Sequence, residues 1–124
     1  MVSKPVAQLL LRVREDALKE NIRRQKSHLD TLQLDLLEAK AAEAEAKNIM
    51  DKLLAATKIK SGSEILALVE RAQKNYSEAQ HKLRQHQETY DNQSSLLKNL
   101  EAMCEEGKQL EEVVSHHWPP NPRP

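Results

Sequence analysis

The sequence predicts an all-α protein: two long antiparallel helices that form a coiled-coil hairpin, followed by an extended proline-rich C-terminal tail. Three observations support this: the composition, two heptad stripes of apolar residues, and an interruption between the stripes. Charged residues make up 31 % of the 124 residues, aromatic residues make up 2 %, and phenylalanine is absent. Leu, Ala, Glu, Lys and Gln are the residues of long helices, whereas a globular core of this size normally uses more aromatic side chains.

The first helix is expected over about residues 5–59. Ser3 and Pro5 are helix-start signals, and neither glycine nor proline occurs from residue 6 to residue 59. A stripe with alternating steps of three and four residues runs through this segment, as a coiled coil requires. Ten of its fourteen positions are apolar: Leu11, Leu18, Ile22, Leu29, Leu32, Leu36, Ala39, Ala46, Met50 and Leu53. The four polar positions are Glu15, Gln25, Glu43 and Thr57.

The second helix is expected over about residues 64–115 and has its own stripe with the same spacing. Eleven of its fifteen positions are apolar: Ile65, Val69, Ala72, Tyr76, Ala79, Leu83, Tyr90, Leu97, Leu100, Cys104 and Val114. The remaining positions are His86, Gln93, Gly107 and Glu111. The helical hairpin thus covers residues 1–116. The tail, 117–124, contains four prolines, which cannot continue a helix.

The segment KSGS, residues 60–63, is predicted to be the turn between the helices. Continued forward, the first stripe would fall on Glu64, whereas the second stripe begins at Ile65, so the heptad phase breaks here. Ser61 and Glu64 have the spacing of a capping box, with Ser63 as a rival N-cap, and Gly62 can end a helix. A helix end, a helix start and a change of phase coincide, which favours a chain that folds back.

Antiparallel pairing in which residue numbers sum to 122 aligns the two stripes. Ala46 then meets Tyr76, and Ala39 meets Leu83. Small side chains thus lie opposite large ones, which keeps the packing dense. The same register sets a basic stretch of the first helix against an acidic stretch of the second, and opposite charges favour this orientation.

Motifs for catalysis are absent from the sequence. It has neither a glycine-rich phosphate loop nor a nucleophile elbow, so we expect no enzymatic activity and no cofactor. His81 and His86 are five residues apart rather than the four that place two imidazoles on one helical face, so a metal site is not expected. No apolar run approaches the roughly 18 residues of a membrane-spanning helix. A single cysteine, Cys104, favours a reducing cytoplasmic or nuclear location.

Several large apolar residues lie off the two stripes. A helix pair with only one seam would leave them in water, so we interpret them as contacts for other helical protein chains. The expected function is a coiled-coil subunit or adaptor of a multiprotein complex of cytoskeletal, kinetochore, centrosomal or vesicle-tethering type. The residues expected to bind the partner are Leu9, Leu10, Val13, Leu34, Leu37, Leu96, Met103, Leu110, Val113 and Trp118.

Two alternatives use the same residues differently. In the first, the chain is a self-assembling structural rod, an elongated parallel homodimer whose stripes continue through Gly62. In the second, the basic run NIRRQK binds nucleic acid, although the net charge is zero and stacking aromatic residues are few. The prolines and Arg123 of the tail also resemble a ligand for an SH3-like domain.

Overall fold

The computed structural model describes residues 2–59 and 62–119, which form two α-helices and no strand. Helix α1 spans Lys4–Ile59 and helix α2 spans Ser63–His116. Lys60 and Ser61 of the expected turn, and residues 120–124 of the expected tail, lie outside the described part of the chain. Residues 117–119 follow α2 without helical structure.

The ends of the helices follow from local hydrogen bonding. The Ser3 hydroxyl accepts a bond from the backbone N–H of Val6 at 3.4 Å, and the Ser3 carbonyl accepts one from Ala7 at 2.9 Å. Ser3 is therefore the N-cap of α1. At the start of α2, the Gly62 carbonyl accepts the N–H of Leu66 at 3.0 Å, which makes Gly62 the residue that precedes the first turn.

The chain divides into two compact units, and both helices contribute to each. Unit 1 comprises the chain up to Leu29 together with the chain from Gln93, and unit 2 is Asp30–Asn92. In unit 1 the helices run antiparallel. The Lys4 ammonium donates to the Ser115 carbonyl at 3.1 Å, and the Gln25 amide donates to the Gln93 carbonyl at 2.9 Å. The residue numbers rise along α1 in the direction in which they fall along α2. In each of the two bonded pairs, the two residue numbers add up to within a few of 122.

In unit 2, two grooves between the helices show that α1 and α2 run in opposite directions there as well. One groove is lined by Asp35 and Ala39 from α1 with His86 and Ala79 from α2. A second is lined by residues further along α1 and earlier along α2, namely Ala42, Glu45, Ala46 and Ile49 with Ala72 and Asn75. The segments of unit 2 therefore also pack in opposite directions.

Every position of the two stripes is buried or half-buried. Burial is confined to Gly107 and a few hydrophobic residues, because two helices can enclose only the line along which they meet. Of the described residues, seven hydrophobic ones are buried: Ala7, Leu18, Leu29 and Val114 in unit 1, and Leu36, Val69 and Ala72 in unit 2.

The ion pairs depart from what the charge pattern suggested. The four ion pairs found in residues 2–59 and 62–119 each lie within one helix, between residues three or four apart, where side chains are already neighbours. The expected attraction across the helix pair therefore gives no direct ion pair among the described residues. The pairs are Lys19–Glu15 (2.9 Å), Arg23–Glu20 (2.6 Å), Arg24–Glu20 (3.1 Å) and Lys108–Glu105 (3.6 Å).

Candidate protein-interaction surface

Large apolar side chains are exposed in both units. Nine of the ten residues predicted to contact a partner are between 40 and 62 % exposed: Leu9, Leu10, Val13, Leu34, Leu37, Leu96, Met103, Leu110 and Val113. The tenth, Trp118, is half-buried just after α2. Leu34 and Leu37 belong to unit 2 and the others to unit 1, so the predicted set is divided between the two units.

The two sides of the helix pair in unit 1 differ in character. On one side are the positions that follow the stripe by one residue on each helix. Ten of these twelve positions are exposed and charged, and the other two are Ser94 and Ser115. The charged ones are Arg12, Asp16, Lys19, Arg23, Lys26, Lys98, Glu101, Glu105, Lys108 and Glu112. Several already form the ion pairs within a helix, and nothing apolar interrupts them, so this side suits water.

On the opposite side are the positions that precede the stripe by one residue, and we call those from 10 to 21 and from 99 to 110 the Leu10/Met103 face. Because the helices run in opposite directions, these positions emerge on the same side of the pair. A hydrogen bond from the Arg14 guanidinium to the Met103 carbonyl, 3.1 Å long, joins the two helices there. All members are exposed except Arg14, which is half-buried: Leu10, Arg14, Ala17, Asn21, Asn99, Met103, Glu106 and Leu110.

Gly107 makes the position of Arg14 possible. This glycine is buried within α2, and a Cβ atom built on it would collide with the guanidinium of Arg14. A glycine in the middle of a helix costs about 1 kcal/mol relative to alanine. Here it leaves room for Arg14 to cross α2 and reach the Met103 carbonyl. The sequence offered one signal of this role, which was a glycine in the interior of a 54-residue helix.

Two carboxyl groups meet near the ends of the helices in unit 1. Glu15 and Glu111 both occupy stripe positions and line one groove, where each carboxyl group influences the pKa of the other. The pKa of Glu15 is lowered, chiefly by its hydrogen bond to Lys19 and next by the one to Glu111. The pKa of Glu111 is raised, chiefly because it shares this bond with Glu15. Of the two carboxyl groups, Glu111 therefore takes up a proton more readily than Glu15.

Glu20 lies on the outer face of α1 among basic residues. Arg23 donates to it at 2.6 Å and 3.0 Å, and Arg24 donates at 3.1 Å. These hydrogen bonds, led by the one from Arg23, lower the pKa of Glu20 to about 2. The basic run that suggested nucleic-acid binding is thus partly neutralised by the acid preceding it.

In unit 2, the outer face of α1 carries an apolar strip of its own. Leu34, Leu37, Ala41 and Ala44 follow one another at steps of three, four and three residues, the spacing of a coiled-coil contact, and all four are exposed. On another side of the same unit, small side chains leave an open groove of about 340 Å³. It is lined by Asp35, Glu38, Ala39, Ala42, Asn75, Glu78, Ala79, Lys82 and His86.

Within residues 2–59 and 62–119, no three His, Cys, Asp or Glu side chains are grouped in a way that could hold a metal ion. No helix in the described part of the chain has the length and apolar character needed to cross a bilayer.

Comparison of the chain with models of protein families, with curated proteins and with solved structures gives no match.

Proposed function

We propose that the chain is a non-enzymatic coiled-coil subunit that assembles with other helical chains in a multiprotein complex. One observation carries the proposal. In the described residues, sixteen large hydrophobic side chains are exposed, against seven hydrophobic residues that are buried. Single exposed apolar residues are normal, but here they recur at helical spacing along defined faces, which marks surfaces that another protein covers.

The mechanism of assembly is the packing of a further helix along these faces. The strip from Leu34 to Ala44 repeats every seven residues, so a partner helix can insert its apolar side chains between the residues of the strip. Charged rows flank the strip, with Lys40 and Lys47 on one side and Glu38 and Glu45 on the other. A partner with an acidic row and a basic row in the matching places gains specificity from this arrangement.

We propose a role as a spacer or adaptor in a cytoskeletal, kinetochore, centrosomal or vesicle-tethering complex of the cytoplasm or nucleus. The role follows from paired helices that carry exposed apolar faces in each unit. The absence of catalytic motifs in the sequence and the single cysteine support this role.

The two alternative functions have less support. An open parallel rod would need the two halves of the chain to lie apart, whereas Lys4 bonds to Ser115 and Gln25 bonds to Gln93. Nucleic-acid binding would use Arg23 and Arg24, but both hydrogen-bond to Glu20.

The proposal is tested with the double variant Leu34→Glu, Leu37→Lys in a tagged chain. If this strip binds a partner helix, the variant removes two apolar anchors and places charge in a dry interface, which costs several kcal/mol of association. We expect recovery of native helical partners to be lost while the helical circular-dichroism signal is unchanged.

A matched control introduces the same charges on the same outer face at polar positions. Asn48→Glu with Asp51→Lys are also three residues apart and exposed, and should leave partner recovery intact. If both variants recover partners as well as the unmodified chain does, the strip is not the interface.

A further inference from the structure

We propose that the Leu10/Met103 face binds the same face of a second copy of the chain, which makes unit 1 half of an antiparallel four-helix bundle. This inference rests on the proposed function and deepens it, because it names one helical partner and the surface that partner covers. It is carried by the match between the residues of the face when two copies are related by a two-fold axis parallel to the helices.

A two-fold axis parallel to the helices keeps every residue at its own height along them. It places α1 of one copy against α2 of the other, and these two segments run in opposite directions. Within one chain, residues at the same height have numbers that sum to about 120, since Lys4 with Ser115 gives 119, Gln25 with Gln93 gives 118 and Arg14 with Gly107 gives 121. The same sum therefore identifies which residues of the two copies meet.

Four consecutive layers of the face then pair residues of like or complementary chemistry. Leu10 meets Leu110, so one apolar side chain covers another. Arg14 meets Glu106, a pair of opposite charge. The next two layers set Ala17 against Met103, a small apolar residue against a long one, and Asn21 against Asn99, two amides that can bond to each other.

The second copy repeats each layer, because α2 of the first chain faces α1 of the second in the same way. Beyond Asn21 the next layer pairs Arg24 with Leu96, which is mixed and marks the edge of the match. The match involves residues of α1 and α2 that all belong to unit 1.

Contacts within one chain leave this surface unsatisfied. Leu10, Met103 and Leu110 remain 58, 44 and 40 % exposed even though the helices are paired. Glu106 is exposed, and Arg14 directs its described hydrogen bond to the Met103 carbonyl rather than to a carboxylate. The opposite side of unit 1 is a poor replacement for this face in a dimer, because its ten charged residues offer little apolar area to bury.

The test reverses the charge of Arg14 in one variant and of Glu106 in another, and measures how strongly each variant dimerises. Light scattering of the unmodified chain is expected to give the mass of a dimer, 28.4 kDa, which is twice 14.2 kDa. Arg14→Glu sets two acids against each other at both symmetry-related contacts, and Glu106→Arg sets two bases against each other. Each variant alone is expected to dimerise at least about tenfold more weakly, as like charges across an interface do.

Mixing the two variants in equal amounts distinguishes contacts between copies from contacts within a chain. In the mixed dimer each contact again joins an acid to a base, so dimerisation is expected to return. If Arg14 and Glu106 acted within one chain, each variant would carry its own like-charge pair and mixing would change nothing. Lys26→Glu, on the charged side of unit 1, should leave the dimer as strong as in the unmodified chain.

A monomeric mass for the unmodified chain, or a mixture that stays monomeric, would overturn the inference. Circular dichroism of each variant checks that the helices persist. Failure of this inference is separable from failure of the proposed function. If the chain is monomeric but recovers partners that the Leu34/Leu37 variant does not, only the dimer is ruled out. If the chain is monomeric and recovers no partner, the proposed function fails as well.

Discussion

Units 1 and 2 use the same two helices but hold them together differently. In unit 1, long polar side chains cross from one helix to the other: Lys4 reaches the Ser115 carbonyl, and Gln25 reaches both the carbonyl and the side chain of Gln93. In unit 2, the stripes are rich in alanine, with Ala39, Ala46, Ala72 and Ala79 between the larger residues. The hydrogen bonds that Gln87, Thr89 and Thr57 donate there stay within a helix.

The difference shows two ways of fixing the alignment of paired helices. A hydrogen bond to a backbone carbonyl has one good geometry, so it selects a particular height of one helix against the other. Small residues opposite large ones select the alignment by shape, since a shift would place two large side chains together. Unit 1 depends more on hydrogen bonds between the helices, and unit 2 depends more on small residues that pack against large ones. The variants below test this division.

The largest effect is expected from filling the alanine stripe of unit 2. Ala46→Leu adds volume at a half-buried position and should lower the free energy of unfolding by about 1–3 kcal/mol, as overpacking does. The open groove beside Ala46 can take part of the new side chain, which favours the lower end of this range. Ala44→Leu, two residues away and exposed, is the control and should be nearly neutral. Urea unfolding measures both, and equal losses would contradict packing by shape.

Removing a polar bond that crosses unit 1 should have a smaller effect. Gln25→Ala deletes hydrogen bonds of 2.9 Å and 3.0 Å to Gln93 and leaves the side-chain amide of Gln93 without this partner. We expect a loss of about 1 kcal/mol in the free energy of unfolding. Gln80→Ala, at a half-buried position of unit 2, removes an amide of the same size and should change stability less. A larger loss from Gln80→Ala would reverse the comparison.

The smallest effect concerns pH and the carboxyl pair of unit 1. Glu111 has a raised pKa, so its contribution to stability is present below the ordinary glutamate value of 4.5 and is lost as pH rises through the folded-state value. Glu15 has a lowered pKa and acts in the opposite sense, since its contribution is present above 4.5 and is lost as pH falls.

Glu111→Gln keeps a hydrogen-bond donor to Glu15 at every pH. We therefore expect the thermal midpoint of the variant, relative to the unmodified chain, to rise as pH increases from 4.5 towards neutral pH. Midpoints across this range, measured by circular dichroism, test the prediction. A constant difference between the two proteins would show that the pair does not titrate as described.

Much of the helix pairing could be predicted because stripes at steps of three and four residues depend only on helix geometry. Every stripe position is at least half-buried, including polar members such as Gln25 and Glu111. The contrast between the two sides of unit 1 was also present in the sequence, since each position after the stripe is charged from Arg12 to Arg23 and from Glu101 to Glu112. It emerges only when neighbouring positions on both helices are compared.

Other features depend on atomic positions that a pattern does not contain. Gly107 looked like a weak stripe position, but its missing side chain matters because the Arg14 guanidinium passes over it. Opposite charges were expected to pair across the helices, yet Lys19 and Lys108 bind acids on their own helix. Partners three or four residues apart are closer and cost less side-chain ordering.

The central claim is that the helix pair is incomplete alone and that other helical chains, the second copy among them, complete it. The most direct test is the thermal midpoint of the unmodified chain as a function of its own concentration. If association contributes to the fold, the midpoint must rise as concentration increases from about 1 µM to about 100 µM, because mass action stabilises the associated state. A midpoint independent of concentration over this range would contradict association between copies of the chain.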